Sequence, residues 1–259
     1  MISRTNLFST AFTLALIAPL FAACTDVAVD DEFATEETAD LDESKADLGG
    51  TYTYYEVFGD ARRCASPYCG GNFVKRVNHA TTRCADGRLA ERCYVASTDF
   101  ARLGLSEAAL DQVRGAVGYV GETRLVMRGT IGKRNWGVVG LQPEFRPSEA
   151  WVGQGPNAAD GPFAKVEDAG IRCITTPCPS LREKKLNSSA TAMLSELGWD
   201  ASGATEDQIT KGVEELFANG IIIAGDRYNV RGAGGTGKAR TVTQFYSQIR
   251  EAATTTPAN

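Results

Sequence analysis

The 259 residues include 27 basic and 32 acidic side chains, seven cysteines and one histidine, for a net charge of −5. The acidity sits in one stretch: residues 25–50 hold ten acidic side chains against Lys45 alone, while the chain beyond residue 50 has 25 basic and 22 acidic residues. A mildly basic body of about 200 residues can bury one large core or two smaller ones, and so small a positive excess does not describe a nucleic-acid binder.

In chain order, residues 1–23 read as a signal peptide, with Arg4 in the positive n-region and an apolar run from Leu7 to Ala23 interrupted by Pro19. That run is too short, and too soon followed by acidic sequence, for a membrane span. Phe21-Ala22-Ala23-Cys24 resembles the lipobox of bacterial lipoproteins, with Phe21 where Leu usually stands and Leu20 one place upstream. The resemblance implies lipidation of Cys24, so that the lipid anchor is the chain's contact with the membrane. It also accounts for the odd cysteine, leaving six for pairing in an oxidising compartment. Residues 24–50 then form an acidic, disordered tether whose charges repel one another and whose apolar residues lack any period.

An internal repeat follows. Arg63-Cys64-x4-Cys69 precedes Asn78 by the same spacing with which Arg172-Cys173-x4-Cys178 precedes Asn187, and Val57 and Val166 keep the same offset of 109. Each copy has a proline in its ring (Pro67, Pro177) and a basic pair before the Asn (Lys75-Arg76, Lys184-Lys185). Downstream, amphipathic segments Ser106–Val117 and Thr205–Phe217 begin with polar and acidic residues as helices do. Apolar strands end in Gly129 and Gly225, and a glycine-containing turn and final strand close each copy. The pattern predicts tandem units at 51–157 and 160–252 and a disordered Thr/Ala/Pro-rich tail at 253–259.

Unit 2 contains only Cys173 and Cys178, so a self-contained unit joins that pair. By position unit 1 joins Cys64 to Cys69, which leaves Cys84 with Cys93. A zinc site is the weaker reading of these cysteines in an oxidising envelope, with His79 the sole histidine. The predicted fold class is α+β and β-rich. Three strands, a helix and two strands is the order of an OB-like small barrel, with a cystatin-like or simpler α+β sheet as the alternative.

The strings RRCASPYCGGNFVKRVN, RCADG, CYVA, RCITTPCPS and KKLN resemble an uncharacterised family of bacterial exported proteins classed as a domain of unknown function. The likeness covers most of residues 52–187. It implies export and the cysteine framework, and it implies no activity.

Motifs for chemistry are sparse. Gly232-Ala233-Gly234-Gly235-Thr236-Gly237-Lys238-Ala239 approaches a phosphate-binding P-loop, but Ala239 replaces the Ser or Thr that reaches magnesium and strand-like sequence follows. A hairpin is predicted there instead. Catalysis by histidine rests on His79 alone, and carboxylates such as Asp60, Asp86, Asp99 and Glu144 have no distinguishing spacing. No cofactor motif remains. The better clue is basic: Arg62, Arg63, Lys75 and Arg76, with Arg83, Arg88 and Arg92 nearby, interleave with Tyr54, Tyr55, Tyr68 and Phe73. Such a cluster suits an anionic envelope polymer or an acidic protein. The expected function is therefore a non-catalytic binding or structural module of the envelope. An inhibitor of a secreted enzyme such as a protease, acting through the rigid cysteine rings, and a carboxylate-dependent hydrolase are the alternatives.

Overall fold

A computed structural model describes residues 53–251. The predicted signal peptide (1–23), Cys24, the tether (24–50) and the tail (253–259) lie outside the described residues.

The first half runs β1 (Thr53–Gly59), the Cys64–Cys69 ring, β2 (Asn72–Arg76), the small pair β3 (Thr82–Arg83) and β4 (Leu89–Ala90), β5 (Cys93–Val95) and β6 (Ser97–Thr98). A 3-10 turn at Phe100–Leu103, α1 (Glu107–Gly115), β7 (Leu125–Asn135) and β8 (Leu141–Gly153) complete it. The second half runs β9 (Phe163–Asp168), the Cys173–Cys178 ring, β10 (Leu181–Lys185), β11 (Thr191–Leu194), β12 (Glu196–Gly198) and a 3-10 turn at Asp200–Ser202. Then come α2 (Glu206–Asn219), β13 (Ile221–Ala224), β14 (Arg227–Gly232), β15 (Gly235–Thr241) and β16 (Gln244–Gln248). The third disulfide joins Cys84, just after β3, to Cys93 at the start of β5, and its loop carries β4. Disulfides of this kind belong to an oxidising, extracytoplasmic setting. Among the described residues no helix is long and apolar enough to cross a membrane.

Local chemistry sets the helix ends. Thr205 caps α2 in a reciprocal box: its hydroxyl accepts from the Gln208 amide, and the Gln208 side chain accepts from the Thr205 amide at 2.9 Å. Gly212 lets α2 press onto Phe245, because a Cβ there would meet that ring at 2.7 Å. α1 is shorter and buries Leu110 and Val113.

Strands lie in the order β5-β2-β1-β7-β8 in one half and β11-β10-β9-β13-β16 in the other. The halves meet where β8 and β16 pair antiparallel, Trp151 opposite Gln248 and Gly153 opposite Tyr246, so one sheet runs through both. The fold is thus β-rich α+β, as predicted. The OB-like option is corrected in one respect: there is no closed barrel. In each half the third strand breaks, at Ala96 or Ser195, and only its short continuation pairs in parallel on the far side, β6 with β8 and β12 with β15, the strand that precedes β16. Two or three residue pairs complete that side, and the rest of the fifth strand's edge is taken by the other half.

Three apolar clusters fill the molecule. One belongs to the first half, around Val57, Val74 and Phe145, and one to the second, around Val166, Leu194 and Phe245. The middle cluster takes Val77, Val126 and Trp151 from the first half and Phe163, Leu186, Ile222 and Tyr246 from the second. Two asparagines brace it. The Asn78 side chain accepts from the Phe163 amide and donates to the Phe163 and Leu186 carbonyls. Asn187 does the same to Tyr54 and Val77. Both asparagines sit at positive φ, 63° and 57°, a conformation Asn tolerates better than most residues. The segment between the halves is held by Gln244, which is buried and bonds the backbone of Gly155 and Asn157.

The two half-cores differ in chemistry. Where the first half places Val74 on its second strand and Phe145 on its fifth, the second half buries Glu183, 0 % exposed, against Arg240, 2 % exposed. Their closest approach is 2.8 Å, Arg227 pairs with the other carboxylate oxygen, and Arg240 also donates to the carbonyls of Pro162 and Gly225.

Candidate functional site

β1 and β2 are joined by the Cys64–Cys69 ring, while β7 and β8 meet in a hairpin whose last pair is Asn135 and Leu141. An open groove of about 590 Å³ lies between ring and hairpin, floored by β2 and β5. Its aromatic residues are Phe73, Tyr94 and Tyr68; its cations are Arg88, Arg92 and Lys133. Phe73 and Tyr94 meet edge to face at 5.7 Å, which the ring quadrupoles favour. The Arg62 guanidinium lies 4.6 Å from the Tyr94 ring centre and 5.1 Å from that of Phe73, and Arg92 stands 5.5 Å from Phe73. Burial pushes the Tyr94 phenol up, and its hydroxyl donates to the Pro67 carbonyl at 2.9 Å, pinning the ring to the floor. Asp60 anchors Arg62 at 2.9 Å, and that hydrogen bond holds the carboxyl below its usual range. Tyr68 and Leu141 remain 61 % and 64 % exposed on opposite sides.

The corresponding region of the second half is closed by its own ring. The Gly234 amide on the β14–β15 hairpin donates to the Thr176 carbonyl at 2.7 Å. A Cβ on Gly232 would come within 2.6 Å of that same oxygen, and one on Gly237 within 2.7 Å of Pro177. These glycines are the ones that imitate a P-loop. They form a two-residue hairpin turn that lets a disulfide ring approach. The Asp168–Arg172 pair, 2.8 Å apart, stands at the base of this ring, and the guanidinium holds the Asp168 carboxyl down at about 2.

A family model described as "Domain of unknown function (DUF6748)" matches residues 53–252. The chain belongs to the DUF6748 family. No curated protein and no solved structure matches it. The matched stretch runs across both halves, so the DUF6748 domain here comprises the whole joined sheet with its open groove and its closed counterpart.

The DUF6748 domain distributes the basic residues singled out in the sequence. Arg62 and Arg63 lie beyond the Gly59–Asn72 end of the β1–β2 ladder, whereas Arg76 stands at the other end opposite Tyr55. Lys75 and Arg76 are consecutive on a strand and face opposite sides, Lys75 standing 3.9 Å from buried Glu56. Of the four, Arg62 is the one whose guanidinium lies over the groove's aromatic rings. His79 lies beside the Asn187 carbonyl at 3.4 Å. The carboxylates scatter: Asp86 lines the groove and pairs with Arg88, Glu144 is buried against Arg146 and Arg134, and Asp99 precedes the first 3-10 turn. Among the described residues no three His, Cys, Asp or Glu side chains gather as a metal site would require. Sequence reasoning missed Tyr94, Lys133 and Leu141. They come from β5 and the hairpin, and only the strand order brings them to the ring.

Proposed function

We propose that the protein is a non-catalytic binding module of the bacterial envelope. Lipid on Cys24 and the acidic stretch 24–50 hold its folded body off the membrane, and the first-half groove grips an anionic envelope polymer. The observation that carries the reading is the difference between the halves: one ring–hairpin groove stands open with exposed aromatic and cationic side chains, and the other is shut by its own ring. Aromatic faces stack on sugar or other planar rings, and arginines that cap aromatics supply charge for acidic substituents. The shared element order, strand order and reciprocal asparagines support an origin by tandem duplication, with one copy keeping an open groove.

The test uses oxidised residues 51–252 passed over immobilised acidic and neutral polysaccharides. Selective retention on the acidic series is expected, and Tyr68→Ala combined with Arg92→Ala is expected to weaken it about tenfold or more. Equal retention of parent and double variant would remove the groove from the proposal. Incorporation of radiolabelled palmitate, lost in Cys24→Ser, checks the anchor in the same strain.

A further inference from the structure

A second open groove, of about 570 Å³, lies where the halves join, and charge makes it unusual. Two of its ion pairs are self-contained. Arg128 pairs with Glu149 at 2.8 Å, and that carboxylate also accepts from the Tyr54 hydroxyl and the Trp151 indole; Arg182 pairs with Glu167 across β9 and β10. Burial and Glu149 push the Tyr54 phenol up to about 12.

What remains is cationic. Lys165 on β9 stands directly opposite Lys184 on β10. Directly opposed residues of an antiparallel pair share a face, and like charges placed so repel. The first half shows the alternative at the same offset of 109: there Glu56 on β1 opposes Lys75 on β2. Where one half has an acid–base pair, the other has two ammonium groups and no ion pair to either among the described residues. The Lys165 ammonium is held 5.8 Å over the ring of Trp151, a buried residue, so part of this arrangement is fixed by the core.

We propose that Lys165 and Lys184 bind a phosphate-class oxyanion in this groove, either free phosphate or the headgroup of an anionic phospholipid. A doubly charged tetrahedral ion placed between the two ammonium groups turns their repulsion into attraction, and lysine serves phosphate as a point charge. The site is independent of the aromatic groove of the first half and shares none of its lining residues.

The full, oxidised chain is titrated with inorganic phosphate at constant ionic strength, and lysine side-chain resonances and Tm are followed together. Saturable shifts at Lys165 and Lys184 are expected, with a rise in Tm that chloride does not reproduce. Lys184→Gln is expected to weaken binding about tenfold. Lys165→Glu rebuilds the first half's pairing; it is expected to abolish the phosphate response while melting no lower than the parent in phosphate-free buffer. A parallel arm compares vesicles of phosphatidylglycerol with vesicles of phosphatidylcholine. Preference for the former assigns a lipid headgroup, and response to phosphate alone assigns the free ion. Absence of both responses, or a Lys165→Glu protein that responds like the parent, overturns the proposal.

Discussion

Glu183→Ala is expected to destabilise the domain by about 3–5 kcal/mol, the cost of leaving buried charge without its partner. The carboxylate lies inside the second half, fully shielded from water, and both its oxygens are engaged, one by Arg227 and one by Arg240. Burial drives the Arg240 pKa down, and Glu183 is the largest of the influences that push it back up, with Asp226 adding to it and Arg227 opposing it. Removing the acid leaves the buried Arg240 guanidinium with the carbonyls of Pro162 and Gly225 as its remaining hydrogen-bond acceptors. The instructive control is the double change Glu183→Val with Arg240→Phe, which installs the chemistry the first half already uses at Val74 and Phe145. Apolar groups of suitable volume often replace a buried ion pair without loss. The double variant should therefore recover most of the stability that Glu183→Ala loses. Urea denaturation, compared through midpoints at constant slope, measures both. A single variant within about 1 kcal/mol of the parent would show that water or a shifted pKa relieves the site.

The second large effect concerns the asparagines. Asn187→Ala removes three hydrogen bonds at once and leaves the amide of Tyr54 and the carbonyl of Val77 to find other partners, while the Tyr54 carbonyl keeps the Val77 amide. With about 1 kcal/mol for each bond and a further penalty for alanine at positive φ, a loss of about 3 kcal/mol is expected. Asn187→Gly separates the two contributions, because glycine accepts the backbone conformation at no steric cost and makes none of the bonds. Its loss should fall below that of alanine by the strain alone. Asn78→Ala should behave alike through Phe163 and Leu186. Since each asparagine bonds the residue before the other, the pair should be non-additive in a double-mutant cycle. Amide exchange read at Tyr54 and Phe163 reports each bond directly. Additive losses with unchanged protection at both amides would mean that the braces act separately.

Much of this architecture was legible in the sequence, for identifiable reasons. Cysteine spacing, the glycines before the final strands and the polar residues ahead of each helix are local signals, and the elements they announce are present. The constant offset from Val57 to Asn78 and from Val166 to Asn187 gave the register of the halves, and the asparagines at its end proved to be where they touch. The joined sheet was not legible, because the partner of β8 is written into neither β8 nor its neighbours. Nor did the interior of β10 announce itself: Leu181-Arg182-Glu183-Lys184-Lys185 has one apolar residue, and its inward Glu183 is intelligible only once Arg240, far along the chain, is beside it. The groove failed for a similar reason. A run of basic residues is visible in one dimension, but which of them share a face with Tyr94 and Leu141 depends on strand order and alternation.

The reciprocal grip of Asn78 and Asn187 has a consequence for how such a surface can change. Identical groups reaching across to identical backbone positions is the geometry of an isologous contact, the kind two separate copies make about a dyad. A true homodimer must alter both sides of its dyad with every mutation, and any groove on the dyad stays symmetric. One polypeptide is free of that constraint. Glu56 and Lys165, or Val74 and Glu183, occupy matching places and differ, so matching places of the two halves need not carry the same charge. A single covalent chain can thus carry different charges at matching places of two halves that share a strand order.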